Sequence, residues 1–245
     1  MLNVSDTVKN LYKQVGIPKH YELYFPALPL TVSSANVIAE SVKLTEAICS
    51  EDDLKFGRCE AAMVSLTLYD INTDLSGLTF TLAHVISGSS VLLGTFVVDT
   101  CKKQENYRFK DVTAYNGMLK VNADVADWYN GLTFPLTLGA FRASLLAYFG
   151  LTQDTSLLPL PNDNMTVEKT ILPAELPGQE IIEMIEELNG VFGVINPTGQ
   201  FSHVILKPLY GLYPSQTLYP SDDLYPVSET DAGYVQSDLI DETVT

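Results

Sequence analysis

The chain has 245 residues, long enough to bury one large core or two smaller ones. Hydrophobic residues make up 46% and charged residues 18%, which excludes a wholly disordered protein. The formal net charge of -16 repels phosphate backbones and excludes general nucleic-acid binding.

Ser5 is placed to cap a short helix over 6–14. Val8, Leu11, Tyr12 and Val15 fall on one helical face, and Gly16 and Pro18 end it. The start of the chain has no long apolar run, so no signal peptide is expected. No run of about 18 apolar residues predicts a membrane helix.

From His20 to Asn116 the apolar period shortens to two. Val64, Leu66 and Leu68 alternate with Ser65, Thr67 and Tyr69. The runs 78–86, 91–102 and 107–115 are also rich in β-formers, with a turn at Gln104, Glu105 and Asn106. Several short strands at this spacing predict an antiparallel barrel or sandwich.

Beyond Asn116 the pattern mixes. A helical turn is expected at 124–129. A helix follows Thr137, with Leu138, Phe141, Leu145 and Tyr148 on one stripe and Gly150 as the stop. A loop at 158–164 precedes an expected strand over 165–171. Pro177 opens another helix, whose buried face is expected to carry Ile181, Met184, Ile185 and Leu188, with Gly190 at its end. A hairpin with strands at 191–195 and 200–206 turns at Asn196 to Gly199.

After Lys207 there is no Lys or Arg, while Asp222, Asp223, Glu229, Asp231, Asp238, Asp241 and Glu242 follow. This predicts an acidic extension, either a docking arm for a basic partner or a solubilising tail. It contains Leu-Tyr-Pro at 212–214, 218–220 and 224–226. Each Pro biases the Tyr before it toward extended backbone, so a strap is expected, over a neighbouring subunit or over its own domain.

Chemistry-bearing patterns are sparse. The three cysteines, Cys49, Cys59 and Cys101, match neither a disulfide framework nor a zinc knuckle, and Cys59 reads as a buried structural thiol. His20, His84 and His203 stand alone, with His84 and His203 as ordinary strand-face residues. Ser87 and Ser89 lie in Ile86-Ser87-Gly88-Ser89-Ser90, which lacks the second glycine of a nucleophile elbow and reads as a hairpin loop. Glu180, Glu183, Glu186 and Glu187 read as the solvated face of a helix, and Glu51, Asp52 and Asp53 as a loop. No catalytic, cofactor-binding or metal-ligating residue is assigned, and no cofactor is expected.

One run carries a resemblance. Residues 50–61, Ser-Glu-Asp-Asp-Leu-Lys-Phe-Gly-Arg-Cys-Glu-Ala, resemble a segment of tail-tip or baseplate hub proteins of long-tailed phages and prophages of Gram-positive bacteria. The stretches 93–99, 111–116 and 124–130 and the Leu-Tyr-Pro repeat are similar to the same family in order and spacing. The resemblance covers about 20–227 and extends to the N-terminal structural region of tail-associated lysin proteins.

That resemblance implies a non-enzymatic homotrimer. Its β-barrel domains would form a ring that continues the tail tube, below the distal tail protein and near the tape-measure protein. DNA would pass through without specific binding, and no membrane anchoring is implied. The protein would be made in the bacterial host cytoplasm and reside at the virion tail tip. The family is expected to be longer, with later strands completing the ring.

The expected architecture is α+β and β-rich. An N-terminal helix (1–20) precedes a β-barrel-like domain (21–116), an α+β domain (117–207) and an extended acidic tail (208–245). Phe56, Gly57 and Cys59 are expected to shape a strand start or bulge. Asp124 and Trp128 are expected to orient the junction between the domains. Two other functions remain open. A carbohydrate-binding module would stack sugars on Tyr213, Tyr219 and Tyr225, and a peptidoglycan-degrading enzyme would need a carboxylate such as Glu180.

Overall fold

The computed structural model describes residues 4–28, 30–49 and 55–205. The Leu-Tyr-Pro repeat with Tyr213, Tyr219 and Tyr225, the acidic tail, and the loop carboxylates Glu51, Asp52 and Asp53 lie outside the described residues. Residues up to Ile205 belong to one compact unit. That unit holds two hydrophobic clusters.

The first cluster is wrapped by a seven-stranded antiparallel sheet. In chain order its strands are β1 (Lys19–Phe25), β2 (Leu30–Val32), β3 (Lys43–Thr45), β4 (Met63–Tyr69), β5 (Thr79–Ile86), β6 (Ser89–Lys103) and β7 (Phe109–Tyr115). In space they run β2-β1-β5-β6-β7-β4-β3. The period of two explains the burial. Val64, Leu66 and Leu68 of β4 point inward, as do Leu23 and Phe25, Phe80 and Leu82, and Val112 and Ala114.

One core is enclosed by one face of all these strands, so the sheet must curl. Two irregularities in β6 help. Leu93 and Asp99 are each an extra residue against the neighbouring strand, and such bulges bend and twist a strand. The second keeps the pattern useful, because Val98 and then Cys101, three residues on, both face the core.

The barrel or sandwich expectation is met in its coarser form only. The sheet is open among the described residues, with β2 at one edge, β3 at the other and no ladder between them. A single bent segment spans the gap instead. Residues 30–32 pair with β1, Val37 bridges Leu68 of β4, and β3 then pairs with β4.

The expected N-terminal helix is present as α1 (Asp6–Lys13), capped by Ser5. It packs on β5, where Tyr12 contacts His84. His84 and its cross-strand neighbour Tyr21 continue the inward-facing rows of β5 and β1, so α1 sits over the end of that core. The loop between Ile86 and Ser89 is a two-residue hairpin turn. Ser87 and Gly88 both have positive φ, at 49° and 79°, as a type I′ turn demands.

The second cluster gathers α2 (Ala126–Gly131), β8 (Leu136–Thr137), α3 (Leu138–Tyr148), β9 (Thr166–Val167), α4 (Gly178–Asn189), β10 (Phe192–Ile195) and β11 (Phe201–Val204). Thr137 caps α3 as expected, accepting from the Ala140 amide. The strand expected over 165–171 shrinks to β9, because only these two residues find a partner, in β8.

Candidate functional site

The helix that opens after Pro177 departs most from expectation. Its buried residues are Gly178, Ile182, Ile185, Glu186 and Asn189. The face predicted to be buried was Ile181, Met184, Ile185 and Leu188. Ile185 is buried and Ile181 packs against the core as expected, but Met184 is 57% and Leu188 45% exposed, so the helix is rotated from the expected phase. Polar groups turn inward because partners await them there.

Those partners form a network centred on buried side chains. His203 Nδ1 of β11 lies 2.7 Å from Glu186 Oε2 of α4, both side chains fully buried. Gln153 Nε2 lies 3.2 Å from the other ring nitrogen of His203. Asn189 donates to the Ile185 carbonyl and accepts from the Asn162 amide. Beside them Arg142 of α3 holds Asp163 through two hydrogen bonds of 2.5 and 2.9 Å. Asp163 also accepts from the Leu160 amide.

This corrects two expectations. Glu186 is not part of a solvated helix face, and His203 is not an ordinary strand residue. Helical period alone missed them, since the signal lies in a partner 17 residues away. Burial pushes the Asp163 carboxyl up, but Arg142 and the Leu160 amide outweigh it and hold it below the ordinary value. Glu186 Oε1 and Arg142 Nε have no partner among the described residues. A pair with no exposed surface cannot meet a substrate, so this network locks α3, α4, β11 and the 152–163 loop together.

The join between the two clusters lies at 55–61. Phe56, Gly57 and Cys59 form a turn and an extended passage, not the strand start or bulge expected of them. Gly57 has φ +84°, and a Cβ there would meet the Glu183 carbonyl oxygen at 2.3 Å. A glycine is required for both reasons, and its amide donates to the Val191 carbonyl. Arg58 reaches Glu183 at 2.9 Å. Cys59 is buried in the second cluster, where desolvation and then nearby Glu186 push its thiol well above the ordinary value. Burial matches the structural thiol expected, and a thiol so raised is a poor nucleophile.

A second contact joins the lobes at Thr95 of β6. Its hydroxyl donates to the Pro197 carbonyl in the β10–β11 turn. Asp124 and Trp128, expected at this junction, lie within the second lobe instead. Asp124 accepts from the amides of Ala126 and Leu176, which also keeps its carboxyl below the ordinary value. Trp128 donates to Ser144 and packs on Phe141.

The remaining residues singled out are dispersed. His20 pairs with Glu22 on β1. His84 contacts Tyr12 and Tyr21, and its own burial, then Lys19 and His20, lower its pKa. Glu180 and Glu187 are exposed on α4. No group of three His, Cys, Asp or Glu residues is placed to hold a metal among the described residues. No helix among them is long and apolar enough to cross a membrane. Large apolar side chains are exposed at several places, among them Val15, Leu172 and, between exposed carboxylates on α4, Met184 and Leu188.

No protein-family model matches the chain, and no curated protein matches it in sequence. Solved structures do match. The 43 kDa tail protein of prophage MuSo2 from Shewanella oneidensis superposes with a TM-score of 0.52 at 11% identity, over 76% of this chain and 54% of that one. A tail protein from Neisseria meningitidis MC58 gives 0.45 at 10% identity, over 76% and 50%. Prophage tail protein gp18 from Listeria monocytogenes EGD-e gives 0.45 at 11%, over 75% and 50%. The chain thus spans about half the length of the tail proteins it matches. In fold, this chain resembles a prophage tail protein.

Proposed function

We propose that the protein is a structural, non-catalytic component of a phage or prophage tail, assembling as a ring at the distal end of the tail tube. The observation that carries this is the fold shared with the MuSo2 tail protein across most of the described chain. The curled sheet supports the reading. It carries α1 over one end of its core and is joined to a second lobe at Gly57 and Thr95.

Charge supports it as well. A ring that passes DNA must not bind it, and a net charge of -16 is consistent with a chain that does not hold phosphate. A homotrimer, with the distal tail protein above and the tape-measure protein nearby, is the assembly this reading predicts. The protein is made in the bacterial cytoplasm and acts at the tail tip during host attachment and DNA delivery.

Co-expression with the distal tail protein of the same phage tests the reading. A complex that survives size exclusion supports a place at the tail tip. Failure to co-purify, with both proteins folded, argues against it.

A further inference from the structure

Two exposed patches of this chain carry opposite charge around apolar side chains. One lies on α4. Glu180, Met184, Glu187 and Leu188 are exposed, and their spacing of i, i+4, i+7 and i+8 sets them on one face. Neither Glu180 nor Glu187 makes a salt bridge among the described residues. The last turn of α4 holds no basic residue, so the negative end of the helix dipole adds to the acidic field.

The other patch lies where α1 runs into β1. Val15 is fully exposed and Tyr12 is 37% exposed. Lys13 and Lys19 flank them, both exposed and without a salt bridge among the described residues. Lys9 is already engaged by Asp6, and Lys19 Nζ stands 5.3 Å over the Tyr12 ring, so Lys13 and Lys19 are the cations of this patch without a carboxylate partner among the described residues.

A twofold pairing of α4 with itself would set Glu180 and Glu187 against the same carboxylates of the second copy. Like charges at a contact disfavour it. The two patches sit on different elements, α1 on β5 and α4 on β10, so each is available to the other across copies. We propose that α4 of one copy receives the α1–β1 junction of a second copy. Met184 and Leu188 meet Tyr12 and Val15, and Glu180 and Glu187 face Lys13 and Lys19. Such a contact is heterologous, the kind that closes into a ring when its rotation permits. The proposal rests on the assembly reading above and names the surfaces that produce it.

The test is the solution mass of the full chain by light scattering across a concentration series. The proteins are wild type, Lys13→Glu/Lys19→Glu, Glu180→Lys/Glu187→Lys, and the combined fourfold reversal. Each double reversal is expected to weaken association by about tenfold or more, and the fourfold reversal to restore it. Met184→Gln/Leu188→Gln is expected to weaken association without charge reversal, and circular dichroism confirms that each variant folds. If wild type associates and the reversals leave its mass unchanged, the proposed contact is wrong while the assembly reading stands. A wild type that stays monomeric throughout overturns the proposed contact, and one that stays monomeric with the distal tail protein added overturns the assembly reading as well.

Discussion

Glu186 and His203 meet at 2.7 Å with neither side chain reaching solvent. They join a helix to a strand that follows it by one hairpin. Removing one partner leaves the other buried and uncompensated. His203→Ala is therefore expected to cost about 1–3 kcal/mol or more in chemical denaturation. A double replacement by apolar residues of similar volume is expected to cost far less, since no buried polar group is then left without its partner. Equal losses for the single and double variants would show that packing, not the pair, is at stake.

Helix α4 offers a direct check on which face is buried. Ile182, which the periodicity leaves off the buried face, is 0% exposed, so Ile182→Ala is expected to destabilise by about 2–5 kcal/mol. Met184→Ser and Leu188→Ser, on the outer face, are each expected to stay within about 0.5 kcal/mol. The reverse ranking in urea titrations would restore the face read from periodicity.

Gly57 permits the close approach of 55–61 to α4. Gly57→Ala places a methyl group against the Glu183 carbonyl and forces a positive φ on a residue with a Cβ. A loss of about 1–3 kcal/mol is expected from the backbone strain alone. Differential scanning calorimetry reads it as a lower Tm, and an unchanged Tm would contradict the contact.

Acid sensitivity follows from Asp163. Its carboxyl is held below the ordinary value of 3.8, so the folded state keeps it ionised where an unfolded chain would bind a proton. The stability this contributes is present above the unfolded value and is lost as pH falls through the folded one. Asp124 and Asp154 are shifted in the same direction by backbone amides, with Ser202 also donating to Asp154. Asp163→Asn is expected to flatten the acid limb of stability plotted against pH. An acid limb as steep as that of wild type would show that other carboxylates set it.

Much of the fold was legible because a half-buried strand writes a period of two. Val64, Leu66 and Leu68 showed β4 directly, and Ser5 and Thr137 marked the helices they cap. The bulges at Leu93 and Asp99 were not legible, since one extra residue in an apolar run leaves no local mark. The phase of α4 was misread for a different reason. Burial of Glu186 and Asn189 depends on His203 and Asn162, and tertiary partners do not enter a helical period. Gly57 stands out as a residue type, but what requires it is the backbone of α4, far away in sequence, which a Cβ there would meet at 2.3 Å.

The central claim is that the protein acts by assembling. The most direct measurement is the solution mass of the purified wild-type chain by light scattering over a wide concentration range. A discrete multiple of the 26.9 kDa chain is expected, three copies in the ring proposed. A single-chain mass at every concentration, unchanged when the distal tail protein is added, would contradict it.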